Sequence, residues 1–159
     1  MELLQKLNYK NQKSVVIVDA PLDLAHVIES FGETLPVKSS IDADVLADFV
    51  LIFVQTQEDV QRHIADVLPR VTSDALVWFA YPKKSSKKYR CTIDRDHGWE
   101  ALGAFGYEPV RQIAIDDDWS ALRFRPVHLI GSFTRSKEMV LSEQGKIRAR
   151  HKVDSFLDT

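Results

Sequence analysis

Three nearly unbroken apolar runs, SVVIVDAP at 14–21, DFVLIFV at 48–54 and ALVWFAY at 75–81, constrain the fold of this 159-residue chain more than any other feature. Apolar runs without polar alternation suit strands buried on both faces, and such strands occur in parallel sheets covered by helices on either side. Helical patterns separate them. Leu3, Leu4 and Leu7 share one side of a short N-terminal helix. Pro21 suits the first turn of a helix with Leu24, Ile28 and Phe31 as its apolar stripe, and Gly32 can adopt the left-handed conformation that ends it. Leu35–Lys38 reads as a short second strand. Thr56 is placed to cap a helix in which Val60, Ile64, Val67 and Leu68 share a face before Pro69. Strands alternating with helices in this way predict a parallel sheet with right-handed crossovers.

Beyond Tyr81 the pattern changes. A helix through Trp99, Leu102 and Phe105 should stop near Gly106. PVRQIAI and SALRFRPV then read as strands separated only by Asp116, Asp117, Asp118 and Trp119, and so short a connection demands an antiparallel hairpin. The fold class that follows is a three-layer Rossmann-like α/β domain over residues 1–131. Its mostly parallel sheet is closed by a C-terminal antiparallel hairpin. Residues 132–159 are mostly charged and polar and read as a loosely packed or partner-dependent tail.

Composition narrows the function classes. Lys and Arg number 21 against 23 Asp and Glu, so no overall field draws the chain to nucleic acid or anionic membranes, and any such attraction must be local. Cys91 is the single cysteine and cannot form an intramolecular disulfide. The N-terminus lacks the basic start and apolar core of a signal peptide, which makes the cytoplasm the default compartment. Phe49–Val54, like the other apolar runs, is far below the roughly 20 residues that span a bilayer. The five histidines are dispersed without ligand spacing, so the sequence offers no metal site, and no Walker-type glycine pattern is present.

The segments LVWFAYPKKSSKKY, DRDHGWEALGAFGYEPVRQIAI and DDDWSALRFRPV resemble an uncharacterised bacterial family, a domain of unknown function, over roughly residues 14–130. The topology resembles the Rossmann-like methyltransferase sheet. That likeness implies an S-adenosylmethionine site, which in working methyltransferases follows the first strand with a glycine-rich turn. Here Asp19, Ala20, Pro21 and Leu22 follow instead, and Lys38, Ser39 and Ser40 stand where a ribose-binding carboxylate would end the second strand.

Ligands of open α/β sheets bind beyond the carboxyl ends of the parallel strands. Lys83, Lys84, Lys87, Lys88 and Arg90 lie just past Tyr81, and Ser85 and Ser86 add hydroxyls, a combination suited to an anion. A solvated surface loop explains the same residues. Asp19, Gln55 and Thr56 follow the first and middle strands and can line the same crevice; capping and turn roles suit Asp19 and Thr56 equally. Trp99 offers a stacking surface beside Asp94, Arg95, Asp96 and His97, whose simpler role is capping and surface pairing. Cys91 sits among cations that favour a thiolate, yet no histidine and acid accompany it. Arg123 and Arg125 share one face of the last strand, where they either bind an anion or pair with Asp116, Asp117 or Asp118.

These features assign no catalytic residue and no cofactor. The leading expectation is a non-catalytic or degenerate Rossmann-like domain holding a small anionic or nucleotide-type ligand through Asp19, Gln55, Thr56, Lys83, Lys84, Ser85, Ser86 and Trp99. A small S-adenosylmethionine-dependent methyltransferase-like enzyme is the alternative. A third reading is an interaction module that binds a protein partner or forms a homo-oligomer.

Overall fold

The computed structural model describes residues 2–32, 37–41, 45–94 and 96–129. Six strands form one sheet: β1 (Val15–Val18), β2 (Val37–Lys38), β3 (Ala47–Phe53), β4 (Val71–Pro82), β5 (Tyr107–Ala114) and β6 (Trp119–Pro126). Four helices accompany them among the described residues: α1 (Glu2–Lys6), α2 (Ala25–Gly32), α3 (Gln57–Val67) and α4 (Glu100–Ala104). The sheet order is β2-β1-β3-β4-β6-β5. β1, β2, β3 and β4 run parallel, and β6 lies antiparallel between β4 and β5. This is a Rossmann-like arrangement, a mostly parallel sheet closed by an antiparallel hairpin.

The apolar runs are continuous because each strand feeds two cores. Phe49, Leu51 and Phe53 of β3, with Leu76, Trp78 and Ala80 of β4, pack against Leu4 of α1, Leu7 just past its end, Leu24 and Val27. The alternate residues Val50, Ile52, Val77 and Phe79 pack beneath Val60, Ile64 and Val67 of α3 and Leu102 of α4. Helices therefore cover both faces. Each fully buried side chain of this kind contributes roughly 1.5–3 kcal/mol of transfer free energy. The Trp78 indole also donates to the Leu7 carbonyl at 3.0 Å, which fixes the end of α1 over the sheet. No described helix is long and apolar enough to cross a membrane.

Local details depart from the sequence reading. β4 begins at Val71, four residues before the apolar run at Ala75, with its first residues more exposed. Pro21 does not open α2; it precedes a single 3₁₀ turn, Leu22–Leu24, and α2 starts at Ala25. That tighter turn rotates the helix so that Val27 joins Leu24 against the sheet and Ile28 is left 36% exposed. In α4 Leu102 is buried while Phe105 points outward, and Gly106 ends the turn with φ 88°. The side chains of Phe31 and Gly32, the start of the second strand at Leu35, the boundary at residue 131 and the tail from 132 lie outside the described residues.

Candidate functional site

The parallel strands β1, β3 and β4 end on one edge of the sheet. β1 is flanked by β2 on one side and β3 on the other, so the connections leave it in opposite directions, and a crevice forms where the strand order reverses. Asp19, the first residue past β1, occupies this point with φ 59°. Aspartate tolerates the left-handed region better than most residues, and α3 holds it there. His63 Nε2 lies 2.9 Å from Asp19 Oδ2, and the Arg62 guanidinium reaches the same oxygen at 3.5 Å. His63 is buried, whereas the Asp19 side chain stays 54% exposed toward the crevice.

Past β3, Thr56 caps α3 in a reciprocal box. Its hydroxyl accepts the Asp59 N–H at 3.1 Å, and Asp59 Oδ2 accepts the N–H groups of Thr56 and Gln55 at 3.2 and 3.0 Å. Asp19, Pro21, Phe53, Gln55, Asp59 and Trp119 line a cavity of about 280 Å³ at this switch point. Phe53 meets Trp119 edge to face at 5.1 Å between centroids, forming an aromatic floor. The loop after β4 packs against the lining residues Trp119 and Gln55. Its Tyr89 packs on Trp119 at 4.9 Å and donates its hydroxyl to Asp23 at 2.7 Å, while Thr92 N–H reaches the Gln55 carbonyl at 3.0 Å. The Asp23 bond pushes the Tyr89 phenol up and holds the Asp23 carboxyl below its usual range.

A second cavity, about 350 Å³, opens beyond β4 and β6, with Tyr81, Lys83, Lys84, Asp94, His97 and Gln112 among its lining residues. Asp94 is its hub. Oδ2 meets Lys84 Nζ at 3.0 Å, and Oδ1 lies 2.9 Å from each of His97 Nδ1, the Asp96 N–H and the His97 N–H. Burial pushes this carboxyl up, but the Lys84 ammonium, the Asp96 N–H and His97 outweigh it and hold it far below the carboxylate range. Because an ionised carboxylate only accepts, His97 Nδ1 carries the shared proton. A carboxyl depressed in the folded state contributes stability that is complete above its unfolded pKa near 3.9 and is lost as pH falls toward the folded value. Wild type should therefore exceed Asp94→Asn in urea midpoint at pH 7, and the gap should narrow steadily as pH falls below about 4. A gap independent of pH would refute the ionic role.

Several candidate residues have structural duties. Trp99 is no stacking surface: it is 1% exposed, and its indole donates to the Asp94 carbonyl at 2.6 Å within the core. Lys84 is paired with Asp94. Ser86 donates to Asp118 at 2.8 Å and accepts the N–H groups of Lys88 and Tyr89, so its hydroxyl staples the loop. Ser85 is exposed. Lys83 lines the second cavity, and its N–H donates to the Asp118 carbonyl. The Cys91 thiol faces the carbonyls of Pro82 and Ile93 at 3.3 and 3.1 Å. Arg123 and Arg125 do not pair across the hairpin turn. Asp116 accepts the N–H groups of Asp118 and Trp119, and the strand register sets Arg123 opposite Arg111 and Arg125 opposite Glu108. The sequence candidates therefore divide, with Asp19 and Gln55 at the switch point and Lys83 and Lys84 in the second cavity. The lining roles of Asp59 and Trp119 were not anticipated; the T-x-x-D spacing signals only the cap.

No protein-family model and no curated protein matches this sequence. Solved structures of similar architecture include LepI in complex with SAM, 15% identical with a TM-score of 0.44. The match covers 79% of this chain but only 39% of the LepI chain. A SAM-dependent methyltransferase from Aquifex aeolicus is 14% identical, with 77% of this chain and 87% of that one covered and a TM-score of 0.49. N-methyltransferase NodS from Bradyrhizobium japonicum is 8% identical, covering 79% and 92% with a TM-score of 0.49. At these identities the likeness is one of fold.

Proposed function

We propose that the switch-point cavity binds an S-adenosyl nucleoside and that the chain acts as a small methyltransferase-like enzyme. One observation carries this reading: Asp19, Gln55 and Asp59 rim an aromatic floor where β1 and β3 diverge. Carboxylates and a side-chain amide suit hydroxyl donors and a cationic sulfonium or ammonium, and Phe53 and Trp119 suit an apolar ring. A phosphate there would face two carboxylates. The missing glycine turn is no obstacle to the chain path, because Asp19 itself takes the left-handed conformation. The anion-binding reading loses support from its own residues, since Lys84 is neutralised, Ser86 is engaged and Trp99 is enclosed.

Thermal unfolding and calorimetry with S-adenosylmethionine, S-adenosylhomocysteine, ATP and inorganic phosphate test the proposal. The S-adenosyl compounds should stabilise selectively, by about 2.7 kcal/mol at 100 times their dissociation constant. Asp19→Asn and Gln55→Ala should each diminish that shift. Stabilisation by phosphate or ATP alone, lost in Lys83→Ala, would return the site to an anion.

A further inference from the structure

We propose a second binding face, remote from the crevice, where Arg111, Arg123 and Arg125 hold the phosphodiester backbone of a single-stranded nucleic acid. β6 runs antiparallel to β4 and pairs Trp119 with Pro82 at the crevice end, so Arg123, opposite Trp78, and Arg125 lie toward the other end of the sheet. Arg111 stands directly across from Arg123. Residues opposed in this way have Cβ atoms about 5 Å apart, and Arg125 follows about 6.6 Å along the same face. The Arg111 guanidinium reaches Asn8 at 3.1 Å, which places the ladder beside the end of α1.

Like charges set opposite each other destabilise a sheet, so this arrangement opposes folding unless something neutralises it. Glu108 is the one carboxylate that the register sets beside the three arginines among the described residues. The Arg123 Nε is buried without a hydrogen-bond partner. Burial lowers the Arg123 pKa, and Arg125 and Arg111 lower it further, so a bound anion would relieve both desolvation and repulsion. Arginine forks grip phosphate oxygens in pairs, and a ladder of spaced forks suits a chain carrying one phosphate per nucleotide better than a single ion.

The test is fluorescence anisotropy of the full chain with a labelled single-stranded RNA of about 20 nucleotides, between about 50 and 200 mM salt. Wild type should bind with an affinity that falls steeply with salt. Arg111→Gln with Arg125→Gln should weaken binding about tenfold and flatten the logarithmic salt slope by about 0.7 per charge removed. Adding Arg123→Gln should deepen both effects. Melting temperatures of the variants separate lost contacts from lost folding; removing opposed charges should leave them unchanged or raised. Absence of binding at the lowest salt, or wild-type affinity in the double and triple variants, would overturn the proposal. Equal competition by polyglutamate or anionic vesicles would overturn the choice of nucleic acid.

Discussion

Trp99→Ala should destabilise the protein by about 3–5 kcal/mol, lowering the melting temperature by roughly 10 °C for a domain of this size. The indole is 1% exposed and lies 6.0 Å from Phe79, 5.5 Å from Tyr81 and 5.2 Å from Phe124, between centroids. Removing it empties the middle of an aromatic cluster that joins β4, β6 and α4. Such rings contribute about 0.5–1.5 kcal/mol per pair beyond their area. Trp99→Phe keeps the packing but leaves the Asp94 carbonyl without its donor, for a loss of about 1–2 kcal/mol. Urea unfolding measures both. A ligand-stacking tryptophan would behave oppositely, with little stability lost and affinity reduced. A Trp99→Ala loss below about 1 kcal/mol would therefore contradict the burial seen here. Affinity for S-adenosylhomocysteine in Trp99→Phe should equal that of wild type.

This residue shows what the sequence revealed and what it hid. The strands β1, β3 and β4 were legible because burial on both faces leaves an unbroken apolar run, and the β5–β6 hairpin because four residues cannot cross a sheet. The Thr56 cap was legible because its partner lies three residues away. Trp99 sits in DRDHGWE, where every near neighbour is polar or glycine, and only Leu102 at the next helical position hints that it faces inward. The pairings within the lysine loop were hidden for a related reason. Lys84 is satisfied by Asp94 and Ser86 by Asp118, partners that leave no periodic trace in sequence. His63 meets Asp19 from 44 residues away, so the clamp on the β1 turn is likewise a product of the fold. Local signals reported backbone states well, whereas pairings between distant polar groups required the topology.

Gly98→Ala should cost about 2–4 kcal/mol, from two separable sources. Gly98 has φ 102°, a conformation that side-chain-bearing residues rarely adopt. An added Cβ would also meet the Ile93 side chain, at 2.8 Å from its Cβ and closer still to Cγ2. Ile93 is 3% exposed and cannot swing aside. The turn between them is closed by the Asp94 N–H donating to the His97 carbonyl at 3.1 Å, so any shift also disturbs the Asp94 hub of the second cavity. A double-mutant cycle distinguishes the sources. Ile93→Ala alone should cost about 2–4 kcal/mol by leaving a cavity, but it also makes room for the new methyl. If steric conflict carries a substantial part, the double variant should lose about 1–2 kcal/mol less than the sum of the single losses. Strict additivity would assign the whole Gly98→Ala loss to backbone conformation, leaving the fit against Ile93 with no energetic role.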